Sequence, residues 1–344
     1  MKILVPLNPR LGASYYRMAV PAAYLPPPLQ VEFYRYRLNQ YETRPLRTGL
    51  AWLDRAVGTA HDYAKWVEAS HLLAKHRRYD ALWLSRSLLN FPNRLEQKLD
   101  HFIYDIDDAV WLGEAAHRFP AYCQRARVVF AGNSFLAERA TQFTPHVKIV
   151  PTSVDTTVHR KLAVTKEGFR VGWIGSSSGF RYLHETADAL LAFFSREPTA
   201  RLHVVADRYP SELKSLHPFL LFTPWNVHTS VALINSFSVG IMPLTDSDWE
   251  RGKCAFKMLQ YMACEVPVVA SAVGMNREVF ALANAPFGTA ATTPHQWTEA
   301  LLHYTALSEA ERETVGANGR ALVEKHFSTE HVGRAIATHL TEYF

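Results

Sequence analysis

The sequence predicts an α/β protein built from two Rossmann-like, doubly wound parallel-sheet domains. Three observations carry this expectation. Short apolar runs alternate with longer helical stretches along all 344 residues, the pattern of repeated strand–helix–strand units. A polar, proline-led segment at 151–168 interrupts the rhythm, which then restarts. The length suits two cores better than one.

In the first half, apolar runs predict strands at 2–7, 31–36, 81–85, 102–106, 128–131 and 147–150. Between them, helical periodicity covers 14–24, 48–76, 95–101, 114–125 and 134–141. Beyond the interruption, strands are expected at 169–174, 201–205, 220–222, 239–242 and 268–271, with helices at 182–194, 227–236, 253–264, 293–304, 309–326 and 329–343. The expected domains are 1–153 and 154–328, with 329–344 a helix that packs back on the first. Open α/β sheets bind ligands beyond the carboxyl ends of their strands, so two such domains facing each other would form a cleft.

Composition narrows the class. A hydrophobic share of 48% and a charged share of 20% are ordinary for a globular protein. No apolar run approaches the ~18 residues of a membrane span, and Pro6 comes too early for a secretory leader. Cys123, Cys254 and Cys264 have neither metal-ligand nor disulfide spacing, which suits a reducing cytosol. The net charge of +5 is compatible with phosphorylated substrates or the inner membrane face. No Lys/Arg run marks a nucleic-acid patch.

Five stretches carry candidate chemistry. In "ERGKCAFKMLQYMACEVPVVAS", Lys253 and Lys257 are four apart and Gln260 three further, one face of the expected helix. Gly252 just before it lets a ligand approach the backbone, and the helix N-terminus adds partial positive charge. Gln260 would lie about 10 Å beyond Lys253 along the axis, at ribose rather than phosphate distance. In "RVGWIGSSSGFRYL", Gly175, Ser176 and Ser177 follow a strand where small residues let amides reach an anion, with Arg181 close behind. The glycine spacing fits neither a Walker loop nor a dinucleotide fingerprint. "FIYDIDDAVW" ends a strand in Asp105, Asp107 and Asp108, candidates for acid, base, electrostatic or divalent-cation roles. In "LFTPWNVHTSV", Trp225 and Asn226 follow a strand, and the indole could stack on a base. Gly12 and Ser14, after the first strand, could open a loop toward a ligand. No hydrolase elbow or zinc spacing occurs among the 16 scattered histidines.

The run "VGIMPLTDSDWERGKCAFKMLQYMACEVPVVASAVGMNREV" resembles the donor-binding region of family 4-like glycosyltransferases with the GT-B fold, in the subgroup with Gly-Lys-Cys-x-Phe-Lys before a Tyr-Met-Ala helix. "KIVPTSVDT", "GFRVGWIGSSSGFRYL" and "YDIDDAVW" resemble other segments of that subgroup. The resemblance implies a nucleotide-sugar bound mainly by the second domain, an acceptor mainly on the first, no metal requirement and no cofactor. It places Lys253 and Lys257 at the diphosphate. Gln260 falls where the family often has the second Glu of its Glu-x7-Glu motif, and Gly252 where it has the first, with Glu250 nearby. Asp107 falls where many relatives have a His near the reacting centre, and Asp108 matches the following Asp.

The expectation is therefore a metal-independent, retaining glycosyltransferase. It would take a UDP- or GDP-sugar and a glycan, lipid-linked or small-molecule hydroxyl acceptor, in bacterial polysaccharide or glycolipid assembly, in the cytoplasm or at the inner membrane. Asp107, Asp108, Lys253 and Lys257 are its catalytic candidates. The rivals are a metal-dependent transferase using Asp105 and Asp107, a GT-B-fold sugar-nucleotide epimerase, and a non-catalytic sugar-nucleotide-binding protein.

Overall fold

The computed structural model describes residues 1–7, 15–35, 49–86, 89, 95–113 and 116–344. They form two compact units, Met1–Pro151 with Val332–Phe344, and Thr152–His331.

The first unit is a six-stranded sheet of β1 (Lys2–Leu7), β2 (Gln30–Arg35), β3 (Ala81–Ser85), β4 (Phe102–Ile106), β5 (Val128–Ala131) and β6 (Val147–Ile149). Its order is β2-β1-β3-β4-β5-β6 and every pairing is parallel. The central strands are mostly apolar, Asp105 of β4 excepted, because helices cover both faces. Ile3, Val5, Trp83, Ile103, Val128 and Phe130 pack against Val332, Ile336 and Leu340 of the last helix, Thr329–Tyr343. Lys148 and Glu342, 2.8 Å apart, tie that helix to β6 at the surface.

The second unit holds β7 (Arg170–Ile174), β8 (Arg201–Ala206), β9 (Leu220–Pro224), β10 (Val239–Met242), β11 (Val268–Ser271) and β12 (Gly288–Ala291). The order is β12-β11-β10-β7-β8-β9, again all parallel. Numbered within the unit, this is the doubly wound order whose switch point, here between β7 and β10, is where such sheets bind ligands. Strand β12, Gly-Thr-Ala-Ala, has no apolar run to announce it in the sequence.

The segment after Pro151 has little regular structure, yet it is pinned to the second unit. The Arg320 guanidinium donates to the carbonyls of Thr156 (3.0 Å), His159 (2.7 Å) and Ala263 (2.7 Å). Its polarity therefore satisfies fixed partners, where the sequence suggested only a linker.

Candidate functional site

The switch point is opened by one tyrosine. Strands β7 and β10 pair only at Val171–Val239 and Gly172–Gly240. Beyond that, the Tyr261 hydroxyl accepts from the Ile174 N–H of β7 at 3.0 Å and donates to the Ile241 carbonyl of β10 at 3.4 Å. A side chain satisfies backbone groups that a ladder would otherwise pair. Gly240 is required there, since a Cβ would stand 2.5 Å from the Tyr261 ring, and Gly172 gives the same room to Phe237.

Above the split lies Gly175. A Cβ on it would fall 2.5 Å from Lys257 Cε and 2.9 Å from the Trp173 ring. The small residue thus admits the Lys257 stem, whose ammonium sits 5.6 Å from the centre of the buried Trp173 ring. Lys253 Nζ lies 5.6 Å from the centre of the Trp249 ring.

The helix that carries Lys257 differs from expectation. It runs Phe256–Ala263, and Ala255 before it has φ 56° and ψ 16°, the left-handed region. A left-handed residue cannot continue a right-handed helix, so Lys253 lies outside it and the two lysines do not share a helical face. Gly252 is buried and closes a separate short helix, Asp248–Arg251, rather than preceding the lysine helix. Gln260 is 8% exposed, and its Nε2 lies 3.0 Å from His159 Nε2. Burial holds the His159 ring below its ordinary pKa, against the pull of Asp155. The neutral ring is thus the natural partner for the amide.

The serine loop after β7 is internally bonded. Ser176 and Ser178 hydroxyls are 2.7 Å apart. The Ser177 N–H (2.5 Å) and hydroxyl (2.8 Å) both donate to Asp207, which follows β8. Burial alone would raise the Asp207 pKa, but these Ser177 bonds and nearby Arg208 carry it below the usual range. Part of the anion seat expected at Ser177 is therefore taken by a carboxylate of the chain itself. Nothing near Asp207 in sequence signalled this, because the pairing spans two strands.

Arg181, in the helix Phe180–Glu185 after β7, and Glu250, in the short helix Asp248–Arg251, meet at 2.5 Å, Nη2 to Oε1. Trp225, 47% exposed, begins the loop after β9. The Asn226 side-chain oxygen accepts from the His228 N–H at 2.8 Å, forming a turn before the helix Ser230–Asn235.

In the first unit the three aspartates separate. Asp105 is fully buried, 2.7 Å from Arg17 Nε and 3.1 Å from Trp83 Nε1. Burial pushes its carboxyl above the ordinary range despite Arg17. Asp107 and Asp108 both pair with Arg86, Asp107 at 3.4 Å. Of the two acids that the metal-dependent rival would use, Asp105 faces Arg17 inside the core and Asp107 faces Arg86. Arg86 itself holds φ 62°, a strained left-handed conformation that turns it toward the acids. Gly12 and Ser14 lie outside the described residues.

Residues 168–306 match the family described as glycosyl transferases group 1. No curated protein matches the chain in sequence. Its fold is similar to sucrose-phosphate synthase from Thermosynechococcus elongatus, at 15% identity and TM-score 0.72 over 99% of this chain and 98% of that one. It is also similar to Anabaena HepE in complex with UDP-glucose (13%, TM-score 0.68, 99% and 100%) and to a glycosyltransferase from Rickettsia africae (11%, 0.69, 99% and 98%). With two doubly wound parallel sheets, the chain has the fold of these glycosyltransferases, and residues 168–306, within the second unit, match the glycosyl transferases group 1 family.

Proposed function

We propose that the chain moves a sugar from a UDP- or GDP-sugar to a hydroxyl acceptor, with retention at the anomeric carbon and without a metal ion. The second unit is the donor domain and the first the acceptor domain. The observation that carries this reading is Lys257 laid over Gly175 at the switch point of the second sheet. As the bond from anomeric carbon to diphosphate oxygen breaks, negative charge grows on the departing nucleoside diphosphate. Lys257 and Lys253 stabilise that charge where it develops. Trp225 offers an exposed ring for the base. The acceptor oxygen bonds to the anomeric carbon and passes its proton to the departing diphosphate oxygen. Asp107 and Asp108, oriented by Arg86, are the groups that position it.

A UDP donor is supported by HepE, whose structures hold UDP, UDP with glucose, and UDP-glucose. Metal independence is supported by the Lys257 ammonium beside Gly175 at the switch point and by the arginine pairing of the aspartates. The acceptor is assigned to polysaccharide or glycolipid assembly. No helix among the described residues is long and apolar enough to cross a membrane, and the net charge of +5 suits peripheral contact with an anionic surface.

The test is a thermal-shift screen with UDP-, GDP-, ADP- and dTDP-sugars, followed by transfer assays with the binder in EDTA. Stabilisation by one donor class and EDTA-resistant transfer are expected. Product formed without acceptor would indicate an epimerase, and donor binding with no turnover on any acceptor a non-catalytic protein.

A further inference from the structure

We propose that Glu250 is a positioning residue that holds Arg181 as a fixed, fork-shaped binding group for an anionic oxygen group of the donor; this rests on the donor site proposed above. Glu250 is 3% exposed, in the short helix Asp248–Arg251 that follows β10. Its Oε1 accepts from Arg181 Nη2 at 2.5 Å and from the Tyr182 hydroxyl at 2.6 Å, and its Oε2 accepts from the Ser247 hydroxyl. Both carboxylate oxygens are committed to protein donors. Glu250 is thus built to hold its neighbours rather than to meet a sugar hydroxyl.

Arg181 is fixed from two sides. Nη2 also meets the Tyr182 oxygen at 2.6 Å, and the guanidinium lies 4.7 Å from the centre of the Tyr182 ring. Its side chain remains 54% exposed, and all its hydrogen bonds run through Nη2. Nε and Nη1 therefore keep their donors on a guanidinium that Glu250 and Tyr182 restrain. A cation with restrained rotamers loses less entropy on binding, and guanidinium forks match phosphate and carboxylate oxygens. Burial pushes the Tyr182 phenol up to about 12, so it stays a donor to Glu250 at every working pH. The bridge also joins the helix Phe180–Glu185 after β7 to the short helix Asp248–Arg251 after β10, the two strands that flank the switch point.

The anionic group has two sources, the donor diphosphate or a carboxylate on an acidic sugar. The experiment compares wild type with Glu250→Gln, Arg181→Gln, the double variant and Lys257→Ala. It measures affinity for UDP and GDP, and KM and kcat for neutral and uronic-acid donors. Arg181→Gln and Glu250→Gln are each expected to weaken binding about tenfold, with KM rising and kcat held, since the contact is made in ground and transition state alike. The double variant should be no weaker than either single one. Loss of diphosphate affinity assigns the phosphate source, and loss confined to uronic-acid donors assigns the sugar carboxylate. Arg181→Gln weakening while Glu250→Gln changes nothing overturns the proposal, as does an unchanged KM in both. A Glu250→Gln protein that loses kcat and melting temperature with unchanged KM would show a structural brace only and overturns it too. If Glu250→Gln does not fold, Tyr182→Phe removes one of the two supports and should raise KM two- to threefold; no change then counts against the proposal. Unchanged UDP and GDP binding in Lys257→Ala would refute the underlying donor-site reading, separately from this one.

Discussion

At the carboxyl end of β4 three aspartates come within four positions, and each meets an arginine from elsewhere in the first unit. At the carboxyl end of β10 the chain instead turns through Gly252 and a left-handed Ala255, carrying lysines that lie over tryptophan rings. The sheets share parallel architecture, but one end sets its carboxylates against arginines and the other lays lysine stems over tryptophan rings on small-residue ground. The difference teaches that a carboxylate cluster in a sequence says little about metal or proton chemistry until its counter-charges are placed. A lysine pair is more informative when glycine makes room for it.

The sharpest way to break this comparison is to remove a counter-charge. Asp105→Ala leaves the Arg17 charge buried without its carboxylate and should cost about 3–5 kcal/mol of the first unit's stability, read by urea unfolding. A loss below about 1 kcal/mol would mean that the pair is not the core feature described. In the second unit, Lys257→Ala should weaken nucleoside diphosphate binding and transfer by roughly 10- to 100-fold. Gly175→Ala should do the same more weakly by displacing the Lys257 stem, and equal activity in both variants would show that the lysine works elsewhere. Kinetics with a saturating acceptor separate these outcomes.

A pH experiment sharpens the contrast between interiors. Burial, aided by Arg170, holds the β8 histidine His203 down to about 4, so the folded protein keeps it neutral. The unfolded chain, with a value near 6.5, takes up a proton first as pH falls. Stability from this group is therefore present above about pH 6.5 and is lost as pH falls toward 4. Wild type should lose about 1–2 kcal/mol more than His203→Gln between pH 7 and pH 5, measured by urea titrations at both. The smallest effects belong to helix caps, one in each unit. Asn133→Ala and Ser308→Ala each remove a side-chain acceptor from the first turn of a helix and should cost about 1 kcal/mol by thermal melts.

Much of the architecture was legible because local period and burial agree. Strands Lys2–Leu7, Ala81–Ser85, Phe102–Ile106, Val128–Ala131, Val239–Met242 and Val268–Ser271 stand where their apolar runs predict. Glu309–His326 begins at a serine followed three residues later by a glutamate, which closes a capping box. Strand β12 and the helix Met275–Ala281 escaped, since short segments supported by neighbours leave no period of their own. The site was legible only in composition. Spacing placed Lys253, Lys257 and Gln260 on one helix face, and Ala255 overrides that spacing with a single backbone conformation.

The sequence by itself determined the two-sheet pattern, the small residues after β7 and the presence of lysines and a tryptophan after later strands, because these follow from local hydrophobic rhythm and residue chemistry. Only the tertiary structure decided which charges cancel. Arg17 finds Asp105 across 88 positions, Arg181 finds Glu250 across 69, and Gln260 turns to His159 across 101. Such pairings are set by strand order and close packing, which bring distant side chains within a few ångströms where burial makes an unmet charge or amide costly. No local window of the chain contains that information.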